Sequence, residues 1–100
     1  MKFDLSFVIK ATNGKITSQA VDRFSDYSID NRDPHIKDTL FIPLVGESHD
    51  AHKFVKMAIE TGASGVLYHQ WNSEWETFTD KVTFIEVEDT LKALQHLANH

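Results

Sequence analysis

The chain contains no cysteine, which excludes disulfides, thiol nucleophiles and cysteine-based zinc sites and is compatible with a reducing compartment. Positive charge is scarce: 10 Lys and Arg stand against 15 Asp and Glu, a formal net charge of −5. A general nucleic-acid or anionic-membrane binder needs a basic face, so neither partner is expected, although one anion held by a local site is not excluded. Long apolar runs are also missing. The longest, LFIPLV at residues 40–45, is far short of the ~20 residues of a membrane helix. The opening MKFDLSFVIK has an acid at position 4 and no apolar core long enough for a secretory signal. Gly14, Gly46, Gly62 and Gly65 form neither G-x-x-x-x-G-K-[ST] nor G-x-G-x-x-G, and no G-x-S-x-G occurs. The expectation is a soluble, unanchored domain with no ATP site of its own, no catalytic residue and no metal site.

What is present suits one globular domain, since 100 residues with 41% hydrophobic content suffice for one core and not two. Leu5, Val8, Ile9 and Thr12 recur at helical spacing, with Asp4 or Ser6 as cap and Asn13-Gly14 as stop. KITSQAV (15–21) and FSDYSI (24–29) read as short strands, and DNRDPHIKD (30–38) as a polar loop. TLFIPLV (39–45) reads as a strand covered on both faces, with Pro43 either placing it at a sheet edge or distorting its second half. From Asp50 the period changes: Ala51, Phe54, Val55 and Ala58 share a helical face, Asp50 is a good N-cap and Gly62 a stop. GVLYHQ (65–70) and VTFIEV (82–87) are further strands around a polar connection, WNSEWETFTDK (71–81). A last helix carries Leu91, Leu94 and Ala98, widened by Leu97, and reaches His100 without a stop, as expected of a boundary cut within a longer protein. The predicted fold is α/β, a small domain with a mixed, partly parallel sheet of about five strands and about three helices. Its centre is a parallel crossover from Leu40 to Tyr68.

Four clusters could carry chemistry. The loop Gly46, Glu47, Ser48 and His49 leaves a strand's carboxyl end and enters a helix start, where ligands bind open α/β sheets and free N–H groups suit an anion. Its plain alternative is an ordinary connection with Asp50 capping the helix. His49 and His52, three apart beside Asp50 and Glu47, suggest a metal-dependent hydrolase, but no third ligand stands at a characteristic spacing. His96 and His100 read as two solvated residues. SIDNR (28–32) offers Asn31 and Arg32 to a phosphate or base, or else a local Asp–Arg pair and an Asx turn before Pro34. Trp71 and Trp75 could stack on a base or sugar, but such aromatics more often fold a loop over the core.

Three segments resemble the N-terminal domain of the Mur ligases, the cytoplasmic enzymes that build the peptidoglycan precursor. SIDNR is similar to the family's acid-Ser/Thr-Arg turn. DTLFIPLVGESHDAHKFVKMAIETGASGVL (38–67) resembles its strand–loop–helix motif LF-x-A-x-x-G-x-x-x-D-G/A-H, and VEDTLKALQHLA (87–98) the helix leading to its central domain. Asp-Ala-His at 50–52 resembles the branch that adds D-alanyl-D-alanine to the UDP-muramoyl tripeptide. The resemblance implies that residues 1–100 form a substrate-recognition domain whose partners are the UDP-muramoyl-peptide and the central ATPase and C-terminal domains of a longer chain. ATP and Mg would belong to that full-length ligase, which activates the peptide carboxylate as an acyl phosphate for attack by the dipeptide amine. The resemblance places Asn31 at the diphosphate, Arg32 in support of that turn, Gly46, Glu47, Ser48 and His49 in the loop approaching uridine, and Asp50 and His52 at its close. Asn31 departs from the family's hydroxyl, and IKDT (36–39) from its Pro-Gly-Asp turn. The alternative function is a non-catalytic regulatory or interaction module on the same fold.

Overall fold

In the computed structural model, which describes residues 3–45 and 50–99, the first helix forms where spacing and caps put it. The Asp4 carboxylate accepts the Phe7 N–H at 2.9 Å, and Asn13, in the left-handed region at φ 57°, closes α1 (Leu5–Thr12) by donating its N–H to the Ile9 carbonyl. There follow β1 (Lys15–Ser18), β2 (Tyr27–Ser28), β3 (Leu40–Phe41), a 3-10 turn (Ala51–Phe54) continuing into α2 (Val55–Thr61), and β4 (Gly65–Tyr68). A 3-10 segment (Ser73–Phe78), β5 (Thr83–Glu86) and α3 (Thr90–Asn99) complete the order.

The strands form one mixed sheet ordered β1-β5-β4-β3-β2, with β2 to β5 mutually parallel and β1 antiparallel to β5. This is the α/β arrangement expected from the sequence. β3 lies inside the sheet, so Pro43 does not mark an edge strand. Its other reading holds: the ladder ends at Phe41, before the residue that has no N–H to contribute.

Alternation along the strands separates two apolar compartments. Leu40, Ile42, Leu67 and Ile85 pack with Leu5 and Val8 of α1 and Ala93 and Leu97 of α3. Phe41, Val66, Tyr68 and Phe84 face the other way, against Val55 and Ala58 of α2 and Trp75. The sheet is therefore the middle of three layers. Gly65 in β4 is required by close approach, because a Cβ there would stand 2.3 Å from Cε1 of the buried Phe24 ring.

Two expectations change in detail. The buried stripe of α3 is Thr90, Ala93 and Leu97, with Leu94 half-buried, while Leu91 and Ala98 are exposed. Both stripes have helical spacing, and the packed one turns the small Ala93 toward Val8 rather than Leu91. The 71–81 connection contains the Ser73–Phe78 3-10 segment, capped by the Asn72 side chain on the Glu74 N–H. Trp75 anchors it, stacked on Phe84 at 5.8 Å between centroids, so the aromatic pair does fold the connection over the core. Among the described residues no helix is long and apolar enough to cross a membrane.

Candidate functional site

The parallel half of the sheet sends the loops after β2, β3 and β4 out at one edge, the edge where ligands enter open α/β folds. The loop after β2 is tied down by its own polar groups. Ser28, buried at the end of β2, donates its hydroxyl toward the Asp33 carboxylate at 3.0 Å. Asp30 accepts the Arg32 N–H at 2.8 Å, an Asx turn, and pairs with the Arg32 guanidinium at 3.2 and 3.3 Å. This pair holds the Asp30 carboxyl below its ordinary value, chiefly through the Arg32 side-chain hydrogen bonds, and raises Arg32 in return. The local Asp–Arg reading of SIDNR is thus realised. Asn31 reaches across to α2, its Nδ2 standing 3.0 Å from the Met57 sulfur.

That reach closes a cleft of about 620 Å³ lined by Ile29, Asp30, Asn31, Arg32, Ala51, Phe54 and Met57. Its lining is largely apolar, and its rim carries the Asn31 amide and the Arg32 guanidinium with the Asp30 carboxylate paired to it. This composition suits a flat polar ring with an anionic tail where Arg32 outweighs Asp30. The Lys53 Nζ stands 5.2 Å from the centroid of the Phe54 ring. Of the predicted residues, Asn31 and Arg32 meet here. Ile29, Phe54 and Met57 were missed. Ile29 carried a faint signal, an isobranched residue at a strand end beside a polar turn, whereas Met57 carried none.

Asp50 and His52 belong to a neighbouring cleft with Lys53, Gln70, Trp71 and Asn72. Gly46, Glu47, Ser48, His49 and His100 lie outside the described residues. Of the flanking residues, Val45 and Asp50 pair as an antiparallel bridge, and Ala51 donates its N–H to the Leu44 carbonyl at 2.9 Å. The Asp50 carboxylate accepts the His52 N–H at 2.9 Å, and the Lys53 N–H turns back to the Asp50 carbonyl. The N–H groups of residues 51 to 53 are therefore engaged within the chain, and Asp50 caps this helix start.

His52 is buried, 8% exposed, between Trp75 and His69. Its Nδ1 lies 2.7 Å from the Asp50 carboxylate, while its Nε2 lies 3.2 Å from the His69 backbone nitrogen. An amide can only donate, so Nε2 accepts, and Nδ1 carries the proton given to Asp50. Burial, opposed by Asp50, pushes the His52 pKa below its ordinary value. Burial raises Asp50, but hydrogen bonds from the His52 backbone and ring outweigh it, and the carboxyl ends below its ordinary value. Among the described residues no group of three His, Cys, Asp or Glu side chains could hold a metal ion.

No family model matches the chain. It is 46% identical over 59 residues, 59% of this chain and 12% of the relative, to the UDP-N-acetylmuramoyl-tripeptide–D-alanyl-D-alanine ligase of Bacillus subtilis. The chain's homologues are Mur ligases. A Synechocystis ligase of the same name is 32% identical over 97 residues, 96% of this chain and 20% of the relative. A Clostridium tetani Mur ligase named for 2,6-diaminopimelate is 36% identical over 64 residues, 64% of this chain and 13% of the relative. The solved MurF of Acinetobacter baumannii shares the fold, with a TM-score of 0.78 and 22% identity over 97% of this chain and 20% of that one. The chain thus spans between 12% and 20% of the length of these Mur ligases. Both dipeptide-adding and diaminopimelate-adding relatives occur among them.

Proposed function

We propose that the chain is the UDP-muramoyl-peptide recognition domain of a cytoplasmic, ATP-dependent Mur ligase that adds D-alanyl-D-alanine to the peptidoglycan precursor. The 46% identity to a ligase of that name carries the reading, and the cleft between the β2 loop and α2 supports it. Phe54, Ile29 and Met57 offer apolar surface to a uracil ring, and Arg32 and Asn31 offer charge and hydrogen bonds to the diphosphate. ATP, its Mg and the amide-forming chemistry would belong to central and C-terminal domains that are partners of this one. In that division of labour this domain supplies binding and orientation of the substrate's nucleotide end.

The test is titration of the 100-residue chain with UDP and with UDP-N-acetylmuramoyl tripeptide, followed by amide chemical shifts. Shifts concentrated at Ile29, Asn31, Arg32, Phe54 and Met57 are expected. Unchanged signals there at millimolar ligand overturn the site. The coding sequence downstream is a separate check: a G-x-x-G-K-[ST] loop soon after His100 supports the ligase, and an immediate stop codon refutes it.

A further inference from the structure

His52 joins two elements of the fold through its ring. Its ring spans from Asp50, where the chain returns from segment 46–49, to the first residue after β4. The same Asp50 oxygen accepts both the His52 N–H and the His52 ring. Trp75 stacks along the ring at 6.2 Å between centroids, and the His69 ring meets it edge-on at 4.4 Å. The ring is thus met by two aromatic rings and held at both nitrogens, which is the construction of a support rather than of a group offered to a ligand.

We propose that His52 is a positioning residue whose neutral, Nδ1-protonated ring clamps Asp50, at the start of the 3-10 turn, to the end of β4, and that protonation at Nε2 opens this clamp. A proton taken from solvent at Nε2 turns the acceptor into a donor that faces the His69 N–H across 3.2 Å. Two donors cannot share that gap, so the amide must move away, while the Asp50 contact strengthens. Among the described residues, Asp50 favours the proton and a charged His69 opposes it. The 3-10 segment contributes the uncharged Trp75, and the exposed Lys53 lines the same cleft. Burial keeps the ring neutral near neutrality, so the clamp is closed there and opens in mild acid. The consequence for ligand binding rests on the function proposed above; the clamp itself does not.

Nitrogen-edited spectra of the imidazole rings should find the Nδ1–H tautomer of His52 at about pH 7.5. Protection of the His69 amide from hydrogen exchange, corrected for intrinsic rate, should fall about tenfold along the His52 titration. His52→Gln, whose amide oxygen can accept the His69 N–H and does not titrate, should keep that protection into acid. His52→Asn, which retains a donor for Asp50 but is too short for His69, should lose it at every pH. An Nε2–H tautomer, or His69 protection that ignores the His52 titration in the wild-type chain, overturns the clamp even where a variant does not fold. UDP affinity measured alongside should weaken as the clamp opens. Absence of UDP binding at every pH refutes the proposed ligand, and the ring and amide signals still decide the clamp.

Discussion

Replacing Thr83 by Val tests how much of the fold hangs on one buried hydroxyl at the end of the sheet away from the candidate site. Thr83 is fully buried at the start of β5. Its Oγ1 donates to the Val21 carbonyl at 2.6 Å and accepts the N–H groups of Ala20 and Val21 at 3.0 and 2.8 Å. One proton and two lone pairs are all in use, and they tie the chain after β1 to the neighbouring strand. Val preserves the shape and removes all three bonds. Each is worth about 1 kcal/mol net, with more lost where the orphaned group stays buried. Ala20 is exposed and its N–H can turn to water, whereas the half-buried Val21 leaves a donor and an acceptor short of partners. The expected loss is about 2–4 kcal/mol, which lowers Tm by roughly 10–20 °C in a domain of this size. Urea unfolding at constant m-value measures it. Thr83→Ser keeps the hydroxyl and deletes one methyl, costing about 1 kcal/mol. The order is the decisive result: if Val is tolerated as well as Ser, the three bonds do not carry the stability assigned to them. Chemical shifts in the Asn31–Met57 cleft should be unchanged in either variant.

Gly65→Ala drives a Cβ into the Phe24 ring, within 2.3 Å of Cε1, and should cost about 1–3 kcal/mol in urea unfolding. Trimming the ring with Phe24→Leu should recover part of that loss in a double-mutant cycle. The folded state depresses the His52 pKa below 6.5, so the unfolded chain takes up the proton first. Stability from this group is fully present above pH 6.5 and declines as pH falls toward the folded value, a slope that His52→Gln should remove from unfolding curves. Asp50 adds a second decline in the same direction, below its ordinary 3.8. Asp30→Asn keeps the Asx acceptor while freeing Arg32 and deleting a negative charge from the cleft rim. It should tighten UDP binding about two- to fivefold by calorimetry, and unchanged or weaker binding would argue against a diphosphate at Arg32.

The sheet could be read in the sequence because burial on both faces leaves continuous apolar runs. Leu40, Phe41 and Ile42, and likewise Val66, Leu67 and Tyr68, fill alternate compartments without a polar interruption. Caps were equally readable, since Asp4, Asn13, Asp50 and Gly62 act on neighbours a few residues away. The Ser73–Phe78 segment was not, because its single buried anchor, Trp75, is surrounded by polar residues that give no period. Nor was the choice between the two stripes of α3, which tertiary packing makes. For the candidate site, motif order pointed to Asn31 and Arg32, but the cleft they line depends on Met57, brought in from 26 residues further on. The partner of His52 is a backbone amide 17 residues away, and an amide leaves no mark in the sequence.

The Val45–Asp50 bridge has a consequence for substitution. With Val45 and Asp50 bonded to each other, the chain leaves and rejoins the scaffold at a single place. A change of residue between them meets a framework already closed behind it, in which Leu44 and Ala51 keep their own bond.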